Sequence, residues 1–533
     1  MTVLESTLLG DALLFLVPWL HVFISPYAKV EEDFNLHATH DLLMYGIHHD
    51  TLHNFDHFPF PTPVPRSFIG SLVLSYCSLP LIRLAHEAHL IISKFDLQII
   101  VRLTLATLNS LALLYVRRAV SRRFTPLAGS LFAYLTVTQF HLPYWQGRTI
   151  PNMFALLPVN ISTALLIRGS KRGLYTAIAL LTFCTVVFRA ELAPLLAFVT
   201  LQSLVTKRAG LGSVIKTGIL AGVLSLVLTV VIDSFFWRQF FLWPEFSGVL
   251  FNVYEGKSAE WGVSPPYEYF IIHLPKLLMV STPLSALAFI FSRKARSLLI
   301  APIAFIGAMS CLGHKEWRFI VYVVPVFNVA AACTARWIWS QRGRNILLRL
   351  MSLGLLGLFA TNIVATAFLT YVSSINYPGG MALQMLHEIV VDSPATIARV
   401  YIDNYAAHTG ATLFLYLHSP PHLSLLAPEH GSAIWSYDRG RHNRTDFGEF
   451  TYVISEDWER WGAEWEVLAG VEAFAGVEFG RAEGGGRVYG RRRWGKLEDW
   501  LPRVVVEERL WILQRRDEAE QEAEVEESEA VGT

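Results

Sequence analysis

Twelve apolar runs dominate the chain, centred near residues 8–24, 67–84, 97–116, 127–142, 150–167, 174–188, 191–206, 213–235, 271–291, 298–312, 319–335 and 346–372. A helix needs about 20 apolar residues to cross the hydrocarbon core, and several of these runs are shorter or abut a neighbour. The pattern predicts an all-α polytopic membrane protein with roughly 11 transmembrane helices, some pieces being re-entrant or interfacial. Between the first two runs, residues 26–66 form a long polar connection rich in His and Pro. Within it, Phe34 to Tyr45 carries apolar or aromatic residues at 34, 38, 42, 43 and 45, a spacing that predicts an amphipathic helix lying in the interface. Residues 1–372 therefore read as a transmembrane module and 373–515 as a small soluble α/β segment, with 504–506 and 510–513 as late strand candidates. Eight acids between Asp517 and Glu529 predict a solvated, disordered tail over 516–533.

Composition agrees with the pattern. Of 533 residues, 53% are hydrophobic and 17% charged, and the mean hydropathy is +0.39, which is too apolar for an ordinary soluble enzyme of this length. Acids and bases balance at 44 each, so no basic footprint argues for nucleic acid. The cysteines, Cys77, Cys184, Cys311 and Cys333, lie far apart without a CxxC pair and read as small core residues. The first run lacks a basic leader and a small-x-small cleavage site, and reads as an uncleaved anchor. Basic clusters such as Arg117/Arg118/Arg122/Arg123, Lys171/Arg172 and Lys207/Arg208 cannot all face the cytosol if every run crosses in turn.

Candidate chemistry sits where charge interrupts this background. Glu31, Glu32 and Asp33 stand immediately behind the first apolar run, at the border of water and hydrocarbon. A carboxylate there can take a proton from a hydroxyl beside a lipid-borne substrate, although acids also simply complement a helix N-terminus. Tyr144 to Asn152 carries Arg148, and Phe188-Arg189-Ala190-Glu191 sets two opposite charges between apolar runs. Such groups mark a site, a structural ion pair or snorkelling side chains. His314-Lys315-Glu316-Trp317-Arg318-Phe319 packs four ionisable residues into six positions, a density of donors suited to phosphate. The loop histidines His37, His40, His48, His49, His53 and His57 show no zinc-type spacing, and read as hydrogen-bonding or surface groups rather than metal ligands.

Glu31-Glu32-Asp33-Phe34-Asn35, Gly147-Arg148-Thr149-Ile150-Pro151-Asn152 and His314 to Phe319 resemble the dolichyl-phosphate-mannose-dependent mannosyltransferases of glycosyltransferase family 22, which have the GT-C fold. The likeness covers about residues 8 to 415. It extends to Val64-Pro65-Arg66-Ser67-Phe68, Val231 to Gln239, Trp243-Pro244-Glu245, Lys257-Ser258 with Trp261 to Pro265, and Asn376-Tyr377-Pro378-Gly379-Gly380. The resemblance implies an enzyme of the endoplasmic-reticulum membrane, with the 26–66 loop, the reaction and the 373–515 segment on the luminal side. Its donor would be dolichyl phosphate mannose, and its acceptor the dolichyl-pyrophosphate-linked heptamannosyl oligosaccharide, extended in α-1,6 linkage with inversion. No cofactor or metal is implied. Glu31 or Glu32 would be the base. Arg189, His314, Lys315 and Arg318 would bind the donor phosphate, and Asp33, Asn35, His40, Arg148 and Glu191 would contact the acceptor or hold the site together. A sibling α-1,2-mannosyltransferase, a glycolipid-anchor mannosyltransferase and, more remotely, a lipid-linked sugar transporter stay open as alternatives. The chain contains no internal repeat of the kind transporters carry.

Overall fold

The computed structural model describes residues 3–254, 262–390, 397–420, 423, 434–440, 444–478 and 502–516. Lys257, Ser258, Trp261 and the acidic run from Asp517 lie outside them. The chain forms two compact units: Met1–Ile24, Phe34–Leu81 and Ile99–Thr370 make the first, and Ser25–Asp33, Ile82–Gln98 and Tyr371–Thr533 the second.

In chain order the first helices are α1 (Val3–Ile24), α2 (Val30–Tyr45), α3 (Ile69–Glu87), α4 (Lys94–Arg123), α5 (Pro126–Val137), α6 (His141–Trp145), α7 (Pro151–Arg168) and α8 (Lys171–Val187). They are followed by α9 (Ala193–Val205), α10 (Leu211–Trp237), α11 (Pro244–Val249), α12 (Leu274–Leu278), α13 (Ser281–Phe291), α14 (Arg293–Ser310), α15 (Val324–Ser340) and α16 (Ile346–Ser374). Among the described residues six helices are long and apolar enough to cross a membrane, and α12 with α13 makes a seventh candidate, bent by 111°.

Side-chain hydrogen bonds fix how these helices run. α1 and α4 are antiparallel: Trp19 Nε1 donates to Thr107 Oγ1 (3.0 Å), Ser110 Oγ to the Leu14 carbonyl (2.7 Å), and Arg117 pairs with Asp11 at 2.7 Å. Gly147 lets the following loop approach both helices, because a Cβ there would sit 2.9 Å from Val22 and 3.1 Å from the Arg102 carbonyl. The break between α12 and α13 falls at Met279, whose φ is +51°. Backbone groups freed inside an apolar bundle must find partners. The fully buried Gln139 accordingly donates to the Leu278 carbonyl (2.8 Å), and Asn362 accepts the Val280 N–H (3.3 Å).

α2 differs from the amphipathic helix expected over Phe34 to Tyr45. From Phe34 to Leu42 it is buried on every side, and its polar residues are paired inside protein instead of facing water. His40 Nδ1 lies 2.9 Å from Asp41 Oδ1, Asp41 Oδ2 accepts the Asp56 N–H (2.8 Å), and Asp56 Oδ2 lies 3.0 Å from His37 Nδ1. Burial holds the neighbouring His57 down, at about 4, while its Nε2 meets the Phe236 carbonyl at 3.1 Å.

The second unit adds α17 (Pro378–Ile389), β1 (Ile397–Ile402), α18 (Asn404–His408), β2 (Ile434–Asp438), β3 (Tyr452–Ser455), β4 (Trp465–Glu478) and β5 (Arg503–Arg515). The sheet order is β2-β1-β3-β5-β4, with β1 parallel to both neighbours and β5 antiparallel to β3 and β4. Leu383 and Leu386 of α17 pack on Val400, Ile402, Ile454 and Ile512 in one core. β5 includes both late strand candidates.

Candidate active site

In the second unit, Glu31, Glu32 and Asp33 occupy the first turn of α2. Glu32 is fully buried, and its Oε1 accepts the Lys29 N–H at 3.1 Å. That is the backward reach of a capping glutamate, which satisfies an amide the helix leaves open. Glu31 and Asp33 stay half-buried. The preceding turn is anchored from several sides. Gln98 donates to the Pro26 carbonyl (2.8 Å) and accepts from Thr412 Oγ1 (2.7 Å), while Tyr27 donates to Gln384 Oε1 (2.6 Å) and stacks on Phe95. The glycines of the 376–380 motif make this packing fit. A Cβ on Gly380 would lie 2.4 Å from the Tyr27 ring, and one on Gly379 would collide with the Ala406 carbonyl.

In the first unit, Pro151 opens α7 and puts Asn152 on its first turn, where three insertions of polar sequence meet. Asn152 Nδ2 donates to Glu191 Oε1 (2.9 Å), to the Tyr322 hydroxyl (2.8 Å) and to the Arg318 carbonyl (3.1 Å). Tyr322 also donates to Glu191 Oε1 (3.2 Å). The other Glu191 oxygen takes Arg189 through Nη2 (2.6 Å) and Nε (2.9 Å). Glu245 Oε2 accepts the Ala190 N–H at 2.7 Å. Burial pushes Glu245 up to about 7, against the opposing pull of Arg189 and the Ala190 amide. Burial alone would lower Arg189, but Glu191, Tyr322 and Glu245 outweigh it and hold the guanidinium firmly charged.

The 314–319 motif is organised by its own acid. Glu316 takes Arg318 through both oxygens, at 2.8 and 2.5 Å, and lies 2.9 Å from His314 Nε2. Lys315 is buried, and its ammonium donates to the Ser264 (2.9 Å) and Leu312 (2.5 Å) carbonyls, tying one loop to the end of α14. Asn35 Nδ2 donates to the Thr149 carbonyl (2.8 Å), and Arg148, fully buried, donates to the Tyr144 hydroxyl (2.6 Å) while its guanidinium lies over that ring.

Of the residues singled out in the sequence, Arg189, Glu191 and the backbone of Arg318 come together around Asn152. His40 and Arg148 are engaged with Asp41 and Tyr144, and Lys315 faces backbone carbonyls. Sequence reasoning missed Tyr322 and Glu245. Tyr322 is masked by the apolar run that contains it, whereas Glu245 stands in the Trp243-Pro244-Glu245 run and was legible there. Among the described residues no three His, Cys, Asp or Glu side chains gather as metal ligands would.

The chain is similar in sequence and fold to known proteins. A Dol-P-Man:Man(7)GlcNAc(2)-PP-Dol alpha-1,6-mannosyltransferase of Drosophila melanogaster is 32% identical over 480 residues, covering 88% of this chain and 67% of the relative. The Arabidopsis thaliana protein of the same name is 34% identical over 407 residues, covering 76% and 80%. The crystal structure of ArnT from Cupriavidus metallidurans bound to undecaprenyl phosphate superposes with a TM-score of 0.53 at 13% identity, covering 94% of this chain and 97% of that one, a likeness of fold. Residues 12–416 match the model of the Alg9-like mannosyltransferase family, and the chain belongs to that family.

Proposed function

We propose that the protein transfers mannose from dolichyl phosphate mannose to the dolichyl-pyrophosphate-linked heptamannosyl oligosaccharide, forming an α-1,6 linkage. The observation that carries this reading is the 32% identity over 88% of the chain to a relative named for that reaction. A β-linked mannosyl phosphate donor gives an α-glycoside by one inverting displacement. The acceptor hydroxyl then needs a base on one face of the sugar, and the departing phosphate needs charge on the other. Glu31 suits the base, since Glu32 is occupied with the Lys29 amide. Arg189 and Arg318 supply cationic groups for the phosphate and His314 a hydrogen-bonding ring, each set in position by a carboxylate. The test is purified protein with synthetic dolichyl phosphate mannose and defined acceptors, the linkage being read by NMR. Transfer to another acceptor, or in another linkage, would replace this reading with that of a sibling transferase.

The site belongs, on this reading, to the luminal face of the endoplasmic-reticulum membrane, and the chain crosses eleven times. Neighbour contacts support the count. Because α1 and α4 are antiparallel, the connection between them ends on the side where it began; the count of eleven takes α3, although long and apolar enough to cross, as a helix that returns to that side. Arg168 reaches Tyr115 near the end of α4, and Gln202 of α9 reaches the Ser297 carbonyl of α14, so those helix ends share the opposite side. With the N-terminus in the cytosol and residues 373–515 in the lumen, as this reading has them, the number of crossings must be odd. Protease added to sealed microsomes should spare an epitope after Thr533 until detergent is added, and its digestion in intact vesicles would overturn the count.

A further inference from the structure

In the first unit, the helix ends away from the candidate site carry charge of one sign. α7 begins beside Asn152 and ends at Arg168; α9 and α15 also run away from the site, and α8, α10 and α14 start at the far end. Those ends are tied together. Arg168 donates to the Tyr115 hydroxyl (2.8 Å), the Gly210 N–H to the Tyr175 hydroxyl (3.3 Å), and Gln202 to the Ser297 carbonyl (2.6 Å). Arg168, Lys171, Arg172, Lys207, Arg208 and Lys294 gather here, and the chain has no Asp or Glu at 97–190, 192–232 or 269–315.

Between α7, α9 and α14 a mostly apolar cavity of about 100 Å³ opens towards this basic end. Val159, Leu195, Tyr322 and Val323 are buried at its inner end, whereas Thr206, Arg208 and Ser297 are exposed at its mouth. Inside, Ser162 Oγ donates to the Pro158 carbonyl (2.8 Å) and Ser203 Oγ to the Val199 carbonyl (2.7 Å), so both hydroxyls are spent on their own helices. The lining extends along α7 from Val159 to Ile167, about 12 Å at the helical rise. A space so long and so small is a slot one chain wide. Its mouth is held in shape by the turn after α9. Lys207 is left-handed (φ +54°), and the amides of Arg208 (2.9 Å) and Ala209 (3.2 Å) both return to the Ser203 carbonyl. Arg208 then lies over the end of α7, where a Cβ on Gly169 would be 3.6 Å from its Nη2.

Basic pockets between transmembrane helices suit anionic lipid head groups. We infer that this slot takes one acyl chain of an anionic glycerophospholipid from the leaflet on the side away from the candidate site, with the head group against Arg208 and Lys207. A basic end that only oriented the helices in the membrane would need no slot beneath it. A lipid whose phosphate reacts at the site does not enter here, because Tyr322 and Val323 close the slot at the end nearest the site.

The test is native mass spectrometry of the full chain in detergent, titrated with dioleoyl phosphatidylserine or dioleoyl phosphatidylcholine. Wild type should hold one phosphatidylserine, bound at least about fivefold more tightly than phosphatidylcholine, each basic residue at the head group contributing about that factor. Arg208→Gln should lose about fivefold in affinity for phosphatidylserine and little for phosphatidylcholine. Ala301→Leu, which fills the slot and leaves the charges alone, should weaken both lipids. Equal binding of the two lipids by wild type, or unchanged phosphatidylserine affinity in Arg208→Gln, would reduce the basic end to a signal for orientation and overturn the inference. So would unchanged binding in folded Ala301→Leu, which would put the lipid outside the slot. Displacement of phosphatidylserine by an equal concentration of dolichyl phosphate would give the slot to the donor's chain instead. The wild-type comparisons decide the matter if a variant does not fold.

Discussion

Arg189 and Glu191 meet through one oxygen. Nη2 at 2.6 Å and Nε at 2.9 Å both reach Oε2, which leaves Oε1 to Asn152 and Tyr322. The pair orients the guanidinium without using the whole carboxylate. Glu191→Gln keeps the shape but removes the charge that fixes Arg189. Donor-dependent turnover should fall at least tenfold, with about 1–3 kcal/mol of lost stability from the charged hydrogen bonds. Arg189→Lys should be nearly as poor, because an ammonium cannot reproduce the planar fork. Turnover at subsaturating donor and chemical denaturation check both variants, and wild-type turnover in Glu191→Gln would make the pair purely structural.

Glu31 and Glu32 are separable despite being adjacent. Glu31→Gln should lower kcat by about 10²–10⁴, the contribution of a positioned base, with the melting temperature unchanged. Glu32→Gln should also cost about 1 kcal/mol of stability, the usual scale of a lost helix cap. Full turnover in Glu31→Gln would remove it from the chemistry.

Glu245 gives a pH signature. Its native value of about 7 lies above the ordinary carboxyl value of 4.5, so the folded state binds this proton more tightly than the unfolded state. The resulting stabilisation is complete below the unfolded value and is lost as pH rises through about 7. The melting temperature of wild type minus that of Glu245→Gln should therefore decrease from pH 5 to pH 8. A difference independent of pH would show that Glu245 is not buried as a proton-binding group.

Lys315 tests whether the 314–319 motif acts as a phosphate cradle or as a stitch. With its ammonium on the Ser264 and Leu312 carbonyls, Lys315→Met should lose two hydrogen bonds at about 1 kcal/mol each, with donor KM little changed in the protein that still folds. A raised donor KM at an unchanged melting temperature would return this lysine to the donor phosphate.

Tyr27 and Gly380 form a packing pair. Gly380→Ala must displace the Tyr27 ring, at a cost of about 1–3 kcal/mol for overpacking, and turnover should fall with it. Adding Tyr27→Leu should recover part of the loss, since residues in contact are not additive. Strict additivity in the double-mutant cycle would mean that the two side chains do not press on each other.

Short-range patterns carried most of what the sequence revealed. Long apolar stretches marked the helices, and charges interrupting them marked Arg189, Glu191 and the 314–319 loop, because an ionisable group beside hydrocarbon needs a reason. Apolar spacing alone misled over α2, where it predicted a wet face yet His37, His40 and Asp41 are buried and hydrogen-bonded inside the protein. The recruitment of 25–33 into the C-terminal unit was not legible either. Nothing local to Tyr27 indicates that its side chain fills the space left by glycines at 380 and 410.

That separation along the chain has a temporal side. At about 5–20 residues per second of synthesis, the glycines that receive Tyr27 emerge roughly 20 to 70 seconds after it. Throughout that interval the acidic turn exists without its seat. With Glu31 as the proposed base, a chain that ends before Gly380 should show no transfer, so the enzyme would stay silent until its final domain has been made.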